Sequence, residues 1–460
     1  LAAAVRLAQA GLAVTLFEAA DEIGGGTRSG ELMVPGVVHD HCSAFHPLGV
    51  TSPFLASLPL HRHGLRWRWP EIDCAHPLDD GTAALLYRDI DATADGLGVD
   101  GPRWKRLFGA LARRFDDIGT DILRPFLHVP RHPVTLTRFG VRALAPATVL
   151  ARTMRTPGAR ALFTGMAAHG FTRLDRPGSS AAGVMLVAAG HRAGWPVAEG
   201  GSAAIASAMA GLLRELGGEV VTGRRIDRLS DVADADIVIL DTAPEFAADL
   251  LGTATPPRIG RALRSIPHRT AAFKVDYVID GEVGWTAPGC DRAGTVHLGG
   301  TSAQIADAEQ SVLRGRMPRR PFVLVGQQWL ADPGRASGSL RPLWAYAHVP
   351  NGYRGPVTEL VTAQIERFAP GFADRIVDVR ARTPDELEMD NPNYVRGDIG
   401  GGPNDLLHLV ARPRPTSTPY ATGVPGVYLC SSATPPGGGV HGMCGFHAAQ
   451  TALDHLITRA

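Results

Sequence analysis

The sequence predicts an α/β fold organised around a parallel, doubly wound sheet, and three stretches predict it. The chain opens on an Ala-rich helical segment, residues 1–10, stopped by Gly11 and followed by an apolar strand, residues 12–17, that ends in Glu18. In the middle, Ser202 caps a helix whose Ile205, Met209, Leu212, Leu213 and Leu216 share one face; Gly217 stops it and a short strand follows at residues 219–222. Near the end, an apolar strand at residues 427–430 breaks into Pro435, Pro436, Gly437, Gly438 and Gly439, then resumes as a helix-compatible run over residues 441–455. Alternating helix and buried strand is the pattern of an α/β sheet.

Composition bounds what such a chain does. With 460 residues, 45% hydrophobic and 20% charged, it is long enough for two or three domains with sizeable cores. A net charge of +1 gives no electrostatic case for nucleic acid. Lys105 and Lys274 are the only lysines, so the positive charge is nearly all arginine, which reads as composition bias. Cys42, Cys74, Cys290, Cys430 and Cys444 form no C-x-x-C pair, so neither a redox dithiol nor a zinc site is signalled, and a reducing, cytoplasmic setting is expected. The longest apolar run, residues 181–189, is too short to span a bilayer.

Taken in order, the first unit begins on Leu1 rather than Met. Helix, glycine stop, strand and terminal acid read as the second half of a dinucleotide-binding βαβ unit, although a generic α/β unit has the same outline. The expectation is a truncated start, with the first strand and its G-x-G-x-x-G just upstream and Glu18 placed to accept ribose hydroxyls. Gly24, Gly25, Gly26, Thr27 and Arg28 follow. His39, Asp40, His41 and Cys42 then cluster polar groups, read as a polar loop in preference to a metal site. Trp104, Leu107, Phe108, Leu111, Phe115, Ile118 and Ile122 recur at three and four, one apolar helical stripe of the kind that serves a core. Gly200 and Gly201 precede the Ser202 helix but lack the spacing of a second dinucleotide fingerprint. Residues 235–240 read as a buried strand ending at Asp241 and Thr242. Strands are expected at residues 271–279, 294–298, 322–328 and 343–349, making a mixed α+β unit. Residues 391–402 and 412–420 are irregular loops that place Tyr394 and Tyr420 toward a cavity or, equally, in packing with satisfied hydroxyls. A strand that opens a helix through glycines leaves bare amides and a positive helix end facing a ligand; a plain Gly-rich connection would look the same.

Two of these stretches carry a family resemblance. A strand ending in Glu18, followed by Gly24-Gly25-Gly26-Thr27-Arg28, resembles the FAD-binding opening of the flavin amine oxidase and phytoene desaturase superfamily. Residues 430–449 resemble its closing flavin motif. The match is to the phytoene-dehydrogenase-like branch labelled pyridine nucleotide-disulfide oxidoreductase domain protein 2-like. The resemblance implies a Rossmann-like FAD-binding domain assembled from residues 1–60, 190–255 and 400–460. It implies a mixed α+β substrate domain with a helical cap, from residues 61–189 and 256–399. The expected cofactor residues are Glu18, Gly24, Gly25, Gly26, Arg28, Gly200, Gly201, Ile226, Thr242, Gly438, Gly439 and Val440, with Ile226 offering its backbone to the adenine. Lys274, His441 and Tyr394 are the expected catalytic residues, with Lys274 holding a water near flavin N5 and the helix opening at Val440 and His441 meeting negative charge on the ring.

The activity this implies is FAD-dependent oxidation, desaturation or isomerisation of an apolar or amphipathic small molecule, with hydride passing to flavin N5. Oxygen or a quinone is the expected electron acceptor; peripheral membrane contact and a homodimer are compatible partners. A disulfide reductase is disfavoured by the missing C-x-x-C, and an NAD dehydrogenase by the closing motif. The alternative is a catalytically silent FAD-binding protein with an interaction or regulatory role.

Overall fold

Seven strands form the largest sheet, in the order Ile376–Arg382, Thr270–Asp280, Leu340–Pro350, Val323–Gly326, Ala293–Leu298, Ile72–Pro77 and Ala83–Leu86. The structure, a computed structural model, describes residues 1–459. Neighbouring strands run antiparallel except Ala293–Leu298, which lies parallel to Ile72–Pro77. Alternation along Thr270–Asp280 sorts its side chains between two cores. Ala271, Phe273, Val275, Tyr277 and Ile279 join one core with Val361, Ile365, Phe368 and Phe372. Ala272 joins the opposite core with Trp344 and Tyr346, which the helices between residues 101 and 193 cover. Trp104, Leu107, Phe108, Leu111, Phe115 and Ile118 are buried there, so the apolar stripe is core packing.

The short parallel strands gather elsewhere. Thr15–Phe17 pairs with Glu219–Val221, and Val427–Leu429 with Val238–Leu240, all in parallel and each strand three residues long. They stand as two separate pairs rather than one sheet. The strand expected over residues 235–240 is only Val238–Leu240, because its partner begins after the Gly426 turn and Gly426 accepts from the Val238 amide at 2.9 Å. The first helix, Ala2–Gln9, packs against the last, Met443–Arg459, as well as toward strand residue Ile239. Small residues permit the close crossing: a Cβ at Gly445 would lie 2.8 Å from the Ala3 amide nitrogen. Among the described residues, no helix is long and apolar enough to cross a membrane.

Candidate cofactor and substrate site

Two glycine turns from distant parts of the chain pack together, and a third is joined to them through residues 46–49, where His46 bonds Ser202 and Gly49 meets Val440. Gly24 and Gly25 hold positive φ, and Thr27 closes their turn through its amide and hydroxyl onto the Gly24 carbonyl, at 2.9 and 2.8 Å. The Gly24 Cβ position faces Ala206 at 3.2 Å, on the helix Ala203–Glu215 that follows Gly200 and Gly201. Gly201, at φ +121°, lies so close to Ser29 that a Cβ would stand 2.6 Å away. The third turn touches the same region through the Val440 carbonyl, 3.2 Å from the Cβ position of Gly49. Glu18 ends the strand half-buried, its Oε1 accepting the Ala20 amide at 2.9 Å and its carbonyl accepting the Arg224 amide at 2.9 Å. Ile226 follows two residues later, half-buried. Thr242, just past Val238–Leu240, has a buried hydroxyl with no protein partner.

Buried ions lock the first two turns together. Asp40 accepts the Ser29 hydroxyl at 2.7 Å and the Ser202 amide at 2.8 Å, and pairs with Arg335. Burial alone would raise the Asp40 carboxyl; the Arg335 guanidinium, the Ser202 amide and the Ser29 hydroxyl outweigh it and hold the group below the ordinary range. Arg335 also donates to Asp332 at 3.0 Å and to the Ala198 carbonyl at 2.7 Å, while Asp332 accepts the Gly200 amide at 2.8 Å. Gly200 therefore spends its amide on the protein.

The closing turn departs from expectation at its end. The helix begins at Met443, not at residue 441, because Val440 and Gly442 both take positive φ, 40° and 69°. His441 is a buried cap on that helix: its Nδ1 accepts the Met443 amide at 3.0 Å and its carbonyl accepts the Ser52 hydroxyl at 2.6 Å. Burial pushes its pKa down to about 4, so the ring is neutral near pH 7. Gly437 packs on the Arg412 guanidinium and Gly439 on Leu48, with Cβ positions 2.6 and 2.9 Å from them. Gly438 has open space on its Cβ side, with nothing nearer than 3.9 Å.

Across from these turns, the large sheet presents a buried ionic chain. Lys274 and Asp276 sit two apart on one strand, hence on one face, and form an ion pair. Asp276 also meets Arg382 at 3.3 Å and His39 at 3.5 Å; Arg382 meets Asp390 at 3.5 Å; Asp390 meets Arg28 at 2.9 Å and His41 at 3.6 Å. The chain thus runs from Lys274 to the first glycine turn, and Arg28 also closes that turn onto the Gly25 carbonyl at 3.1 Å. Burial pulls Lys274 down to about 8 against the opposing attraction of Asp276.

Tyr394 touches this chain. Its hydroxyl abuts Gly26 and its phenol lies beside Cys42, and burial raises it well above the ordinary range. The Cys42 carbonyl accepts the Trp344 indole N–H at 3.0 Å, and Lys274 Nζ stands 5.9 Å from the Trp344 ring. Tyr420 lies elsewhere: it is buried and donates to the Pro435 carbonyl at 2.9 Å, a packing tyrosine with a satisfied hydroxyl. His39, His41 and Cys42 diverge to different partners, and among the described residues no cluster of three metal-ligating side chains forms. Asp276, Arg382, Asp390 and Arg335 were missed from the sequence. Only Asp276 carried a signal, its i+2 spacing from the lone lysine of the strand.

Residues 1–57 match the family model of an NAD(P)-binding Rossmann-like domain. A 96-residue stretch is 38% identical to the pyridine nucleotide-disulfide oxidoreductase domain-containing protein 2 of Rattus norvegicus; it makes up 21% of this chain and spans 16% of that protein's length. An oxidoreductase from Methanosarcina mazei aligns over 98% of this chain and 97% of its own, at 14% identity and TM-score 0.60. A putrescine oxidase variant from a redesign of its cofactor binding aligns over 100% and 96%, at 16% identity and TM-score 0.60. At these identities the likeness to the solved structures is one of fold.

Proposed function

We propose that the protein is a FAD-dependent oxidoreductase of the phytoene-dehydrogenase-like kind, removing hydride from an apolar or amphipathic small molecule in an oxidation, desaturation or isomerisation. The observation that carries this reading is the linkage of three glycine turns, residues 24–28 packing on the 200–202 turn and its helix, and residues 437–440 joined to them through residues 46–49. The residues present suit a flavin dinucleotide. Glu18 would accept the adenosine ribose hydroxyls and repel a 2′-phosphate. The unpartnered Thr242 hydroxyl and the open side of Gly438 leave polar and steric room for a ligand. When bound, FAD would supply two-electron acceptance at N5.

The chain's own residues would do the rest. Lys274, held by Asp276 and depressed by burial, would orient a water or accept a proton at Nζ. Asp276, Arg382 and Asp390 would fix it against the Arg28 turn, and the Trp344 ring would shield it from bulk water. The neutral His441 would hold the start of the last helix so that its positive end faces the closing turn. Oxygen or a quinone would take the electrons onward.

Absorbance of the full-length protein titrated with FAD and with NADP, followed by anaerobic stopped-flow, tests the reading. Retention of FAD and slow, non-saturable bleaching by NADH and NADPH are expected. Rapid, saturable reduction by either nicotinamide, or no FAD binding, would overturn it.

A further inference from the structure

A cavity of about 360 Å³ opens where the helical cap, the start of Thr270–Asp280 and the loop at residues 398–405 meet, and four arginines line it: Arg173, Arg176, Arg269 and Arg314. Two carboxylates, Asp398 and Asp405, share the lining with them. Arg173 pairs with Asp175 at 2.6 Å, Asp398 with His268 at 2.6 Å, and the lining Asp405 with His408 at 2.7 Å. Among the described residues, Arg176, Arg269 and Arg314 make no direct ion pair, although the Arg269 charge helps to hold the Asp405 carboxyl down; four guanidiniums against two carboxylates leave the lining with net positive charge.

One wall of the cavity is built by the strand that also carries Lys274. Thr270 in its wall and Lys274 lie on the same face of one strand, separated by about 13 Å at the usual rise per residue. On the neighbouring strand, His348, Tyr346 and Trp344 stand opposite Ala272, Lys274 and Asp276. Their rings form a file: Trp344 to Tyr346 at 5.0 Å, Tyr346 to His348 at 5.6 Å, and His348 to Phe171 at 3.9 Å. Phe171 lines the cavity and takes φ 51°, the left-handed region that a bulky residue adopts at a cost.

We propose that this cavity binds the anionic head, a carboxylate or a phosphate, of an amphipathic substrate whose apolar chain is directed past Phe171 along the aromatic file toward Lys274. The proposal rests on the flavin reading only for what happens at Lys274; head-group binding stands independently of it. It also separates this chain from its fold neighbour with the diamine name, since a cationic head would meet like charge at the mouth.

Calorimetry on the full-length protein with decanoate, decyl phosphate, decanol and decylamine tests it, with FAD content measured in parallel. Decanoate or decyl phosphate should bind, whichever binds tighter naming the head group, and decylamine should not. The triple variant Arg176→Ala, Arg269→Ala, Arg314→Ala should weaken the anionic ligand on the order of 100-fold, as expected for losing three partly solvated charges, and leave FAD content unchanged. Arg269→Glu should shift preference toward decylamine. Equal binding of anionic and cationic chains, no binding of either anion, or an unchanged triple variant would overturn the proposal. Loss of FAD with retained anion binding would count against the flavin reading alone.

Discussion

The two halves of the candidate site are held by different kinds of bond. Around Glu18, Gly24 and Gly438 the chain is mostly backbone: strands of three residues, positive-φ glycines and amide-to-carbonyl turns. Around Lys274 it is mostly side chain: strands of eleven residues carrying buried ions that compensate one another. A backbone cradle leaves groups such as the Thr242 hydroxyl for a ligand to satisfy, so its stability depends on occupancy. The ionic chain pairs its charges with one another, while Arg382 Nε and His39 Nε2 stay buried without a hydrogen-bond partner among the described residues. The cofactor should therefore stiffen the first half and leave the second nearly unchanged.

The strongest way to break this comparison is at Arg335, which belongs to the side-chain style yet clamps the glycine turns. Arg335→Met leaves Asp40 and Asp332 buried without their cation, a loss of about 3 to 5 kcal/mol. Urea unfolding should show that loss with or without FAD. If saturating FAD restored most of the stability, the clamp would be a cofactor device and the division between the halves would fail.

His268 sharpens the comparison through pH. It joins Asp398 and Glu245, at 2.6 and 3.0 Å, and Asp398 in turn accepts the Gly400 and Gly402 amides at 2.8 and 3.0 Å, pinning the loop that lies on the closing motif. Burial opposes its charge, but the two carboxylates prevail and push its pKa up to about 9. A folded pKa above the unfolded value makes the stabilisation complete below about pH 6.5, declining from there and gone above about pH 9, on the order of 2 to 3 kcal/mol in all. His268→Gln should flatten that slope in thermal or urea unfolding between those limits; an unchanged slope would remove the imidazolium from the account.

On the backbone side, Glu18→Ala in the full-length protein should weaken FAD by about 1.5 to 3 kcal/mol, the scale of charge-assisted hydrogen bonds. Stability without FAD should barely change, because the Glu18 side chain accepts only a local amide at 2.9 Å. Equal loss in both states would mean that Glu18 serves the fold rather than the ligand.

The same contrast explains which features were legible in the sequence. Gly11 and Gly217 stop helices where glycine freedom is a local property, and period-two alternation in residues 271–279 sorts side chains locally, so both could be read from the chain alone. The parallel pairing of Thr15–Phe17 with Glu219–Val221 spans some two hundred residues, and no local pattern encodes it. The Arg335–Asp40 pair is equally remote. His441 misled for a subtler reason: the run reads as helix, and only the left-handed turn at Gly442 frees its ring to cap the helix that starts at Met443. Tyr420 was ambiguous because a tyrosine in an irregular loop satisfies its hydroxyl as readily by packing as by lining a cavity.

The smallest effect is expected at the thiols, and it tests whether side chains in the backbone half take part in electron flow. Cys430 follows the buried strand Val427–Leu429, and Cys444 sits on the last helix with its Sγ donating to the Gly437 carbonyl at 3.3 Å. Burial pushes the Cys444 thiol up to about 11 and Cys430 well above its ordinary value, so neither supplies a thiolate near neutral pH. Serine at both positions keeps a donor at residue 444 and should cost about 1 kcal/mol, the usual scale of a buried point change. The rate of anaerobic flavin reduction by a substrate should stay at the wild-type value. A folded, FAD-loaded double variant that no longer accepts electrons would place a thiol in the redox path, and the glycine turn at residues 437–439 would then owe part of its role to the sulfur beside it.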